Sequence, residues 1–443
     1  MLRQTSALLL ALLASSARAD DSERIAALER RVAELETRAL DAEARARDAE
    51  AHTTRSEELS RAGESRVTLG ASARFGWYDG GEFGTADDFG ARVADARFFL
   101  DAELAEDVRI GNHPLVRNIG FSFEWNLVRR GDLFNDVGEL YVDLQGIAGS
   151  SWLNLRPGRF QIPVGEAYKR YSRGTTSNPF ITQPLGGPWW WDEGVMLYGG
   201  SEDGRFGYVA SVANGETPLS FDAGDGAQGT LKLWTQPREW LYLSASGLTQ
   251  GEIGSGGGAL WLGETWATPV GVMSSLPSWI DGVPEPPSFA AFDSAWLAGA
   301  DVVLTPNENV RGWIGGGHYA LDSRDAHRYD RALHYWIAEL VLRGGLIAPE
   351  LAPAWLGLRA DEIGTDDDGR GYLLAIDYVD RLGYNMRRFR AYSAVLGWRL
   401  GNATSLRAEY SFRDIDLVRG VPAGLRDDAH DADVFGVEIG VGF

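Results

Sequence analysis

The sequence predicts an all-β protein: a 16-stranded antiparallel transmembrane β-barrel preceded by a short N-terminal α-helical coiled coil. Three observations carry that expectation. From Val67 onward apolar and polar residues alternate with period two, segment after segment, which is the pattern of strands with one oily and one polar face. The chain closes on such a segment, VFGVEIGVGF: Phe435, Val437, Ile439, Val441 and Phe443 fall on one side of an extended chain, and Gly436, Glu438, Gly440 and Gly442 on the other. Past residue 20 no stretch approaches the ~20 continuous apolar residues of a membrane-spanning helix, so only strands are left to cross a bilayer.

The first nineteen residues read as a signal peptide. Arg3 supplies a positive start, Ala7 to Ala14 (ALLLALLA) a short apolar run, and Ala17-Arg18-Ala19 the small-residue pattern before a cut at Asp20. Cleavage removes Arg3 and Arg18, leaving 40 basic against 63 acidic residues and a net charge that moves from −21 to −23. So acidic a chain is a poor nucleic-acid binder. The absence of cysteine removes disulfides, thiol catalysis and cysteine metal sites.

Residues 20–66 change abruptly to Ala, Glu, Arg and Asp, with no Pro and a single Gly at position 63. Ile25, Leu28, Val32, Leu35, Ala39 and Ala42 recur at alternating spacings of three and four, the seam of a coiled coil. After Leu35 the seam weakens to alanines. Two strong heptads are marginal alone, so this periplasmic segment is expected to associate where something else already holds the chains together.

Strands are expected near 67–78, 90–105, 116–127, 137–144, 151–161, 194–200, 205–214, 230–236, 240–249, 293–304, 309–321, 332–343, 354–363, 388–400, 405–413 and 434–443. Phe121 to Leu127 (FSFEWNL) places oily residues at odd positions, and Leu406 to Phe412 (LRAEYSF) at even ones. An even strand number, with apolar residues outward and polar residues inward, suits a barrel in lipid, where only a closed sheet has no unsatisfied edge. The connections fall into two classes that alternate along the chain. Those at 106–115, 145–150, 201–204, 237–239, 305–308, 344–353 and 401–404 are comparatively short, whereas those at 79–89, 128–136, 162–193, 215–229, 250–292, 322–331, 364–387 and 414–433 are mostly long and rich in Gly, Pro and Asp. Short periplasmic turns and long outer loops are the asymmetry of an outer-membrane barrel. The count of sixteen requires Gly371 to Val379 to be loop, although its pattern also suits a strand, with a count of eighteen as the alternative.

The segment Gly158-Arg159-Phe160-Gln161-Ile162-Pro163-Val164-Gly165 resembles a strand-ending motif of the phosphate-selective porin O and P family, a family of bacterial outer-membrane porins. Trp191-Asp192-Glu193-Gly194-Val195 and Ala354-Trp355-Leu356-Gly357-Leu358-Arg359 are also similar, and the coiled segment, barrel and final Phe follow in the same order. The resemblance covers most of residues 20–443. It implies a porin, usually a homotrimer, whose third long loop folds into the lumen as the constriction. It further implies a passive diffusion channel for small hydrophilic solutes, with a preference for small inorganic or organic anions such as phosphate. Its partners would be outer-membrane lipid and lipopolysaccharide.

Loop 162–193 carries Lys169, Arg170 and Arg173, which are the expected constriction and anion-binding residues, because basic groups in a narrow channel lower the barrier for anions. A solvated loop is the competing reading. Strand parity aims Arg74, Arg97, Arg156, Lys232, Arg343, Arg359, Arg399 and Arg407 at the lumen, and with them Asp101, Glu103, Glu124, Asp143, Asp301, Glu339, Asp361 and Glu409. Both signs line the pore equally, unlike a strictly phosphate-selective channel. The acid runs at Asp366 to Asp368 and at Asp427, Asp428, Asp431 and Asp433 lack the ligand spacing of a calcium loop, and the six histidines form no metal motif. No cofactor, metal or catalytic residue is expected. The alternative function is a structural envelope protein that tethers the outer membrane through its coiled segment, with conduction secondary.

Overall fold

A computed structural model describes residues 67–79, 90–129, 132–170, 178–187, 191–215, 227–251, 260–262, 265–267, 292–323, 331–365, 373–376, 383–401, 403–417 and 433–442. The signal peptide and the coiled coil, at 1–66, lie outside the described residues, as do Arg173, Phe443 and both acid runs apart from Asp433.

The strands are β1 (Val67–Asp79), β2 (Gly90–Ile110), β3 (His113–Arg129), β4 (Asp132–Gln145), β5 (Asn154–Gln161), β6 (Trp191–Gly200), β7 (Phe206–Ala213), β8 (Gln228–Arg238) and β9 (Leu241–Gln250). They continue with β10 (Leu260–Leu262), β11 (Thr265–Ala267), β12 (Phe292–Asn307), β13 (Val310–Ser323), β14 (Arg331–Arg343), β15 (Ala354–Thr365), β16 (Leu373–Ile376), β17 (Gly383–Arg399), β18 (Thr404–Leu417) and β19 (Val434–Gly442). Sixteen of them close an antiparallel barrel. Each pairs with the next in sequence, except that β9 pairs directly with β12 and β15 with β17. The ring is sealed where β1 meets β19, with Arg74 opposite Gly440 and Gly76 opposite Glu438. Among the described residues the sixteen-stranded ring itself leaves no edge to stand unsatisfied in lipid.

The three remaining strands stand apart from the wall. β16 pairs with Gly383–Met386 at the start of β17, β11 pairs with β16, and β10 pairs with β11. A strand therefore does form inside 371–379, but it extends β17 beyond the ring instead of entering it, and the barrel count stays at sixteen. The connections again divide into two classes. Two residues join β2 to β3 and two join β12 to β13, whereas 162–190, 251–291 and 366–382 separate strands at the other end. The exception is 128–136, expected to be a loop: β3 and β4 extend into it and leave only 130–131 between them.

Side-chain parity follows the sequence. Phe75, Trp77, Phe98, Trp125, Ile314, Leu396, Tyr410 and Phe412 face outward and exposed, while Ser72, Glu124, Lys232, Asp301, Arg407 and Glu438 face inward and are buried. In β19, Phe435 is exposed outside, and Gly436, Glu438 and Gly440 are buried inside. Among the described residues no helix is long and apolar enough to cross a membrane.

The inward face is not polar throughout. Leu248, Leu297, Tyr319, Leu333, Tyr335, Ile337, Ile363 and Phe389 point into the barrel and join Ile162, Val164 and Leu185 of the long β5–β6 connection in one buried apolar cluster. Part of the lumen is thus a packed core. Residues 162–170 and 178–187 occupy it, with Phe160, Ile162, Val164, Phe180 and Leu185 all fully buried.

Candidate functional site: the loop folded into the lumen

The inward loop begins at a backbone constraint. Gly158, in β5, has φ +131°, and a Cβ there would lie 2.3 Å from the Leu140 carbonyl oxygen and 2.7 Å from the Tyr141 Cα. Only glycine lets β4 and β5 approach so closely. At the far end of the loop Gly186, with φ +67°, lies flat against Tyr335, whose Cβ would be 2.3 Å from an added methyl. These contacts give a physical basis for the glycines of the 158–165 and 186–187 segments.

The first leg turns through a 3-10 segment, Ala167–Arg170, and is held by charge. The Glu166 carboxylate accepts from Lys232 Nζ of β8 at 2.6 Å and pairs with Lys169 Nζ at 2.8 Å. Lys232 also lies 5.2 Å from the Tyr168 ring centre, and Lys169 lies 5.2 Å from that of Tyr242, both within cation–π range. The Gly165 amide donates to the Ser246 hydroxyl of β9 at 2.9 Å. Burial pushes the Glu166 pKa upward, but the charges of Lys169 and Lys232 outweigh it and hold the group at about 2.

The second leg, 178–187, forms no strand; the Asn178 side chain accepts from the Phe180 amide at 3.1 Å and donates to the Thr182 carbonyl at 3.0 Å, and the wall supplies further hydrogen bonds. Arg359 of β15 donates to the Thr182 carbonyl at 3.0 Å, the Thr182 hydroxyl at 2.6 Å and the Gln183 carbonyl at 2.9 Å. Arg407 of β18 donates to the carbonyls of Asn178 at 2.7 Å and Phe180 at 2.8 Å. Glu409 accepts from the Ile181 amide and the Thr182 hydroxyl, and Asp361 from the Leu185 amide at 3.1 Å. The indole of Trp355 donates to the Pro179 carbonyl at 3.3 Å. A buried backbone without partners is costly, and these side chains remove that cost.

Elsewhere on the inner wall charges occur in pairs. Arg74 Nη2 meets Asp95 at 2.7 Å, and Arg97 bridges Asp95 at 2.9 Å and Glu124 at 3.5 Å, forming a ladder across β1, β2 and β3. Arg156 pairs with Asp143 at 3.0 Å and lies 4.2 Å from the Tyr141 ring centre. The Tyr78 hydroxyl donates to Glu438 at 3.0 Å, and Arg407 pairs with the same carboxylate.

All eight basic lining residues therefore sit at inward parity, with different surroundings. Arg359, Arg407 and Lys232 are buried beneath the loop, Arg74, Arg97 and Arg156 adjoin carboxylates, and Arg343 and Arg399 are exposed at the turn end. Of the three expected loop cations, Lys169 is paired with Glu166. Arg170 closes the 3-10 turn with its side chain outside the described region, and Arg173 lies outside it altogether. Sequence reasoning missed Glu166, Asn178 and Thr182, although Glu166 stands three residues before Lys169, a spacing that brings opposite charges together on one turn. Among the described residues no group of acidic and histidine side chains is arranged to hold a metal ion.

No protein-family model and no curated protein matches this sequence. Solved structures match the fold. The in-vitro folded OmpT, an outer membrane protein of Vibrio cholerae, superposes with a TM-score of 0.54 at 10% identity, over 86% of this chain and 99% of that one. The outer membrane channel DcaP of Acinetobacter baumannii gives 0.51 at 11% identity, over 85% and 97%. OprB of Pseudomonas putida gives 0.51 at 13% identity, over 88% and 97%. At these identities the likeness is one of fold: the chain has the architecture of a sixteen-stranded outer-membrane barrel.

Proposed function

We propose that this chain is a passive diffusion porin of a Gram-negative-type outer membrane, passing small hydrophilic solutes. The observation that carries the reading is a closed barrel, oily outside, with a chain segment clamped across its interior. A wall of sixteen strands encloses a water-filled channel unless something narrows it. Residues 162–170 and 178–187 are that narrowing, and solutes pass between them and the uncovered wall. Likeness to an outer membrane channel of another bacterium supports the same reading.

The finer assignments belong to the same proposal. Residues 1–19 are an export signal removed at Asp20, residues 20–66 form a coiled coil, and the barrel assembles as a homotrimer in contact with lipopolysaccharide. Selectivity favours anions such as phosphate, as the resemblance to the phosphate-selective porin O and P family implies, and it is mild. Lys169 is offset by Glu166, so most of the positive field falls to Arg170 and Arg173. Reconstitution of the purified protein in a planar bilayer tests the proposal. Stepwise conductance with a reversal potential displaced toward the anion side in a salt gradient is the expected result, and a silent bilayer containing folded protein would refute it.

A further inference from the structure

Two short stretches on separate strands share one pattern: Arg359-Ala360-Asp361 on β15 and Arg407-Ala408-Glu409 on β18. In each, the alanine faces outward and the two charged residues face inward, all four nearly inaccessible. Between these strands runs β17, whose inward residues opposite them are small: Ala391 pairs with Asp361, Ser393 with Arg359, Val395 with Glu409 and Gly397 with Arg407. The result is a trough between two charged rails.

The second leg of the loop lies in that trough. Its amides and carbonyls are matched to the rails by sign, since both arginines donate to carbonyls and both carboxylates accept from amides. The Thr182 hydroxyl joins the rails, donating to Glu409 while accepting from Arg359. Phe180 packs beneath the Arg359 guanidinium, 4.6 Å from its ring centre, and over Gly357, where a Cβ would meet the ring at 2.9 Å.

We propose that Arg359, Asp361, Arg407 and Glu409 are positioning residues that fix the loop's height and depth in the lumen and so set the size limit of the pore. They act through the loop and touch no solute. This rests on the porin reading above for its consequence, the size limit, but not for the clamp itself. Arg359 also pairs with Asp361 at 2.8 Å and Arg407 with Glu438, all four nearly inaccessible, so removing one charge changes what the pore excludes more than which sign of ion it prefers.

The absence of cysteine makes a direct test available. Ile181→Cys places a single thiol on the clamped leg, at a side chain 2% exposed. In the otherwise unaltered chain that thiol should resist a charged, water-soluble maleimide. With R359Q added it should react about tenfold faster or more, the factor expected when a hydrogen bond to a charged group is lost. The isosteric E409Q should act in the same direction and guards against misfolding of R359Q, with heat-modifiable mobility reporting a folded barrel in each case. R343Q, at the exposed turn end, should leave the thiol protected. In bilayers, R359Q and E409Q should admit larger uncharged polyethylene glycols than the parent, with little change in reversal potential. Protection unchanged in both folded variants overturns the clamp, and faster labelling with an unchanged size limit overturns its role in sizing the pore. Faster labelling in a chain that conducts in no form would leave the clamp standing and remove the porin reading instead.

Discussion

Lys232 reaches from the barrel wall to Glu166 of the inward loop, Nζ to Oε1 at 2.6 Å, with the lysine side chain 1% exposed. Lys169 holds the other oxygen of the same carboxylate at 2.8 Å, so one acid on the loop satisfies one lysine of the wall and one of its own turn.

This arrangement fixes a pH dependence. The Glu166 pKa is lowered from 4.5 to about 2, so its contribution to holding the first leg is complete above about 4.5 and is lost as pH falls toward 2. Channel conductance should therefore stay steady from pH 8 to about 5 and become noisy only below about 4. E166Q should be noisy at neutral pH, because it removes the carboxylate that both lysines hold at 2.6 and 2.8 Å, a loss on the order of 3 kcal/mol for a buried pair. A parent channel that loosened near pH 6 would show that some other group holds this leg.

Gly158 provides a prediction about folding. Alanine there must adopt φ +131° and overlap the Leu140 carbonyl, so G158A should destabilise the β4–β5 pairing by roughly 2 kcal/mol or more. The measure is the fraction of heat-modifiable barrel recovered from urea. Recovery equal to the parent would mean that the loop can start from a relaxed strand.

The barrel was legible in the sequence because each strand writes its own parity. FSFEWNL and LRAEYSF each name an inside and an outside without reference to any distant residue. The packed part of the lumen was not legible for the same reason. In β14, Leu333, Tyr335, Ile337 and Val341 face inward while Trp336 and Leu340 face outward, so a strand oily on both sides blurs the alternation. The inner apolar residues answer to the loop, whose contacts with the wall join positions 177 and 229 residues apart. Local pattern carries no information about such pairs. For the second leg a clue was the repeated Arg-Ala-acid triplet, which parity turns inward but which reads as ordinary pore lining until the loop is in place.

The proposed coiled coil at 20–66 and the barrel should separate under mutation. Replacing Leu28, Val32 and Leu35 with Asp removes the strong part of the heptad seam but none of the strand pairings that close the ring. Circular dichroism of the isolated 20–66 peptide should lose its concentration-dependent helicity, while the full chain still inserts as heat-modifiable protein. Failure of the full chain to insert would tie barrel assembly to residues 20–66.

Selectivity should depend on the loop's basic residues and not on those of the wall. Among the described lining groups, Arg74, Arg97 and Arg156 adjoin carboxylates, and Arg359 and Arg407 pair with Asp361 and Glu438 beneath the loop, so their fields are largely offset. Lys169, Arg170 and Arg173 are the sequence's densest positive cluster in this connection, with Glu166 offsetting part of one. Two unit charges ~4 Å apart interact by about 4 kcal/mol at an effective dielectric near 20, so a fraction of that, applied at the narrowest point, shifts the ratio of anion to cation permeation about tenfold. Changing Arg170 and Arg173 to Glu, with Lys169 kept to spare its pair with Glu166, should move the reversal potential toward cations with a modest change in conductance. The same exchange at Arg324 and Arg328, in the connection between β13 and β14, should do little. If the two double variants shift the potential equally, the field at the constriction does not come from this loop, and the anion preference loses its basis.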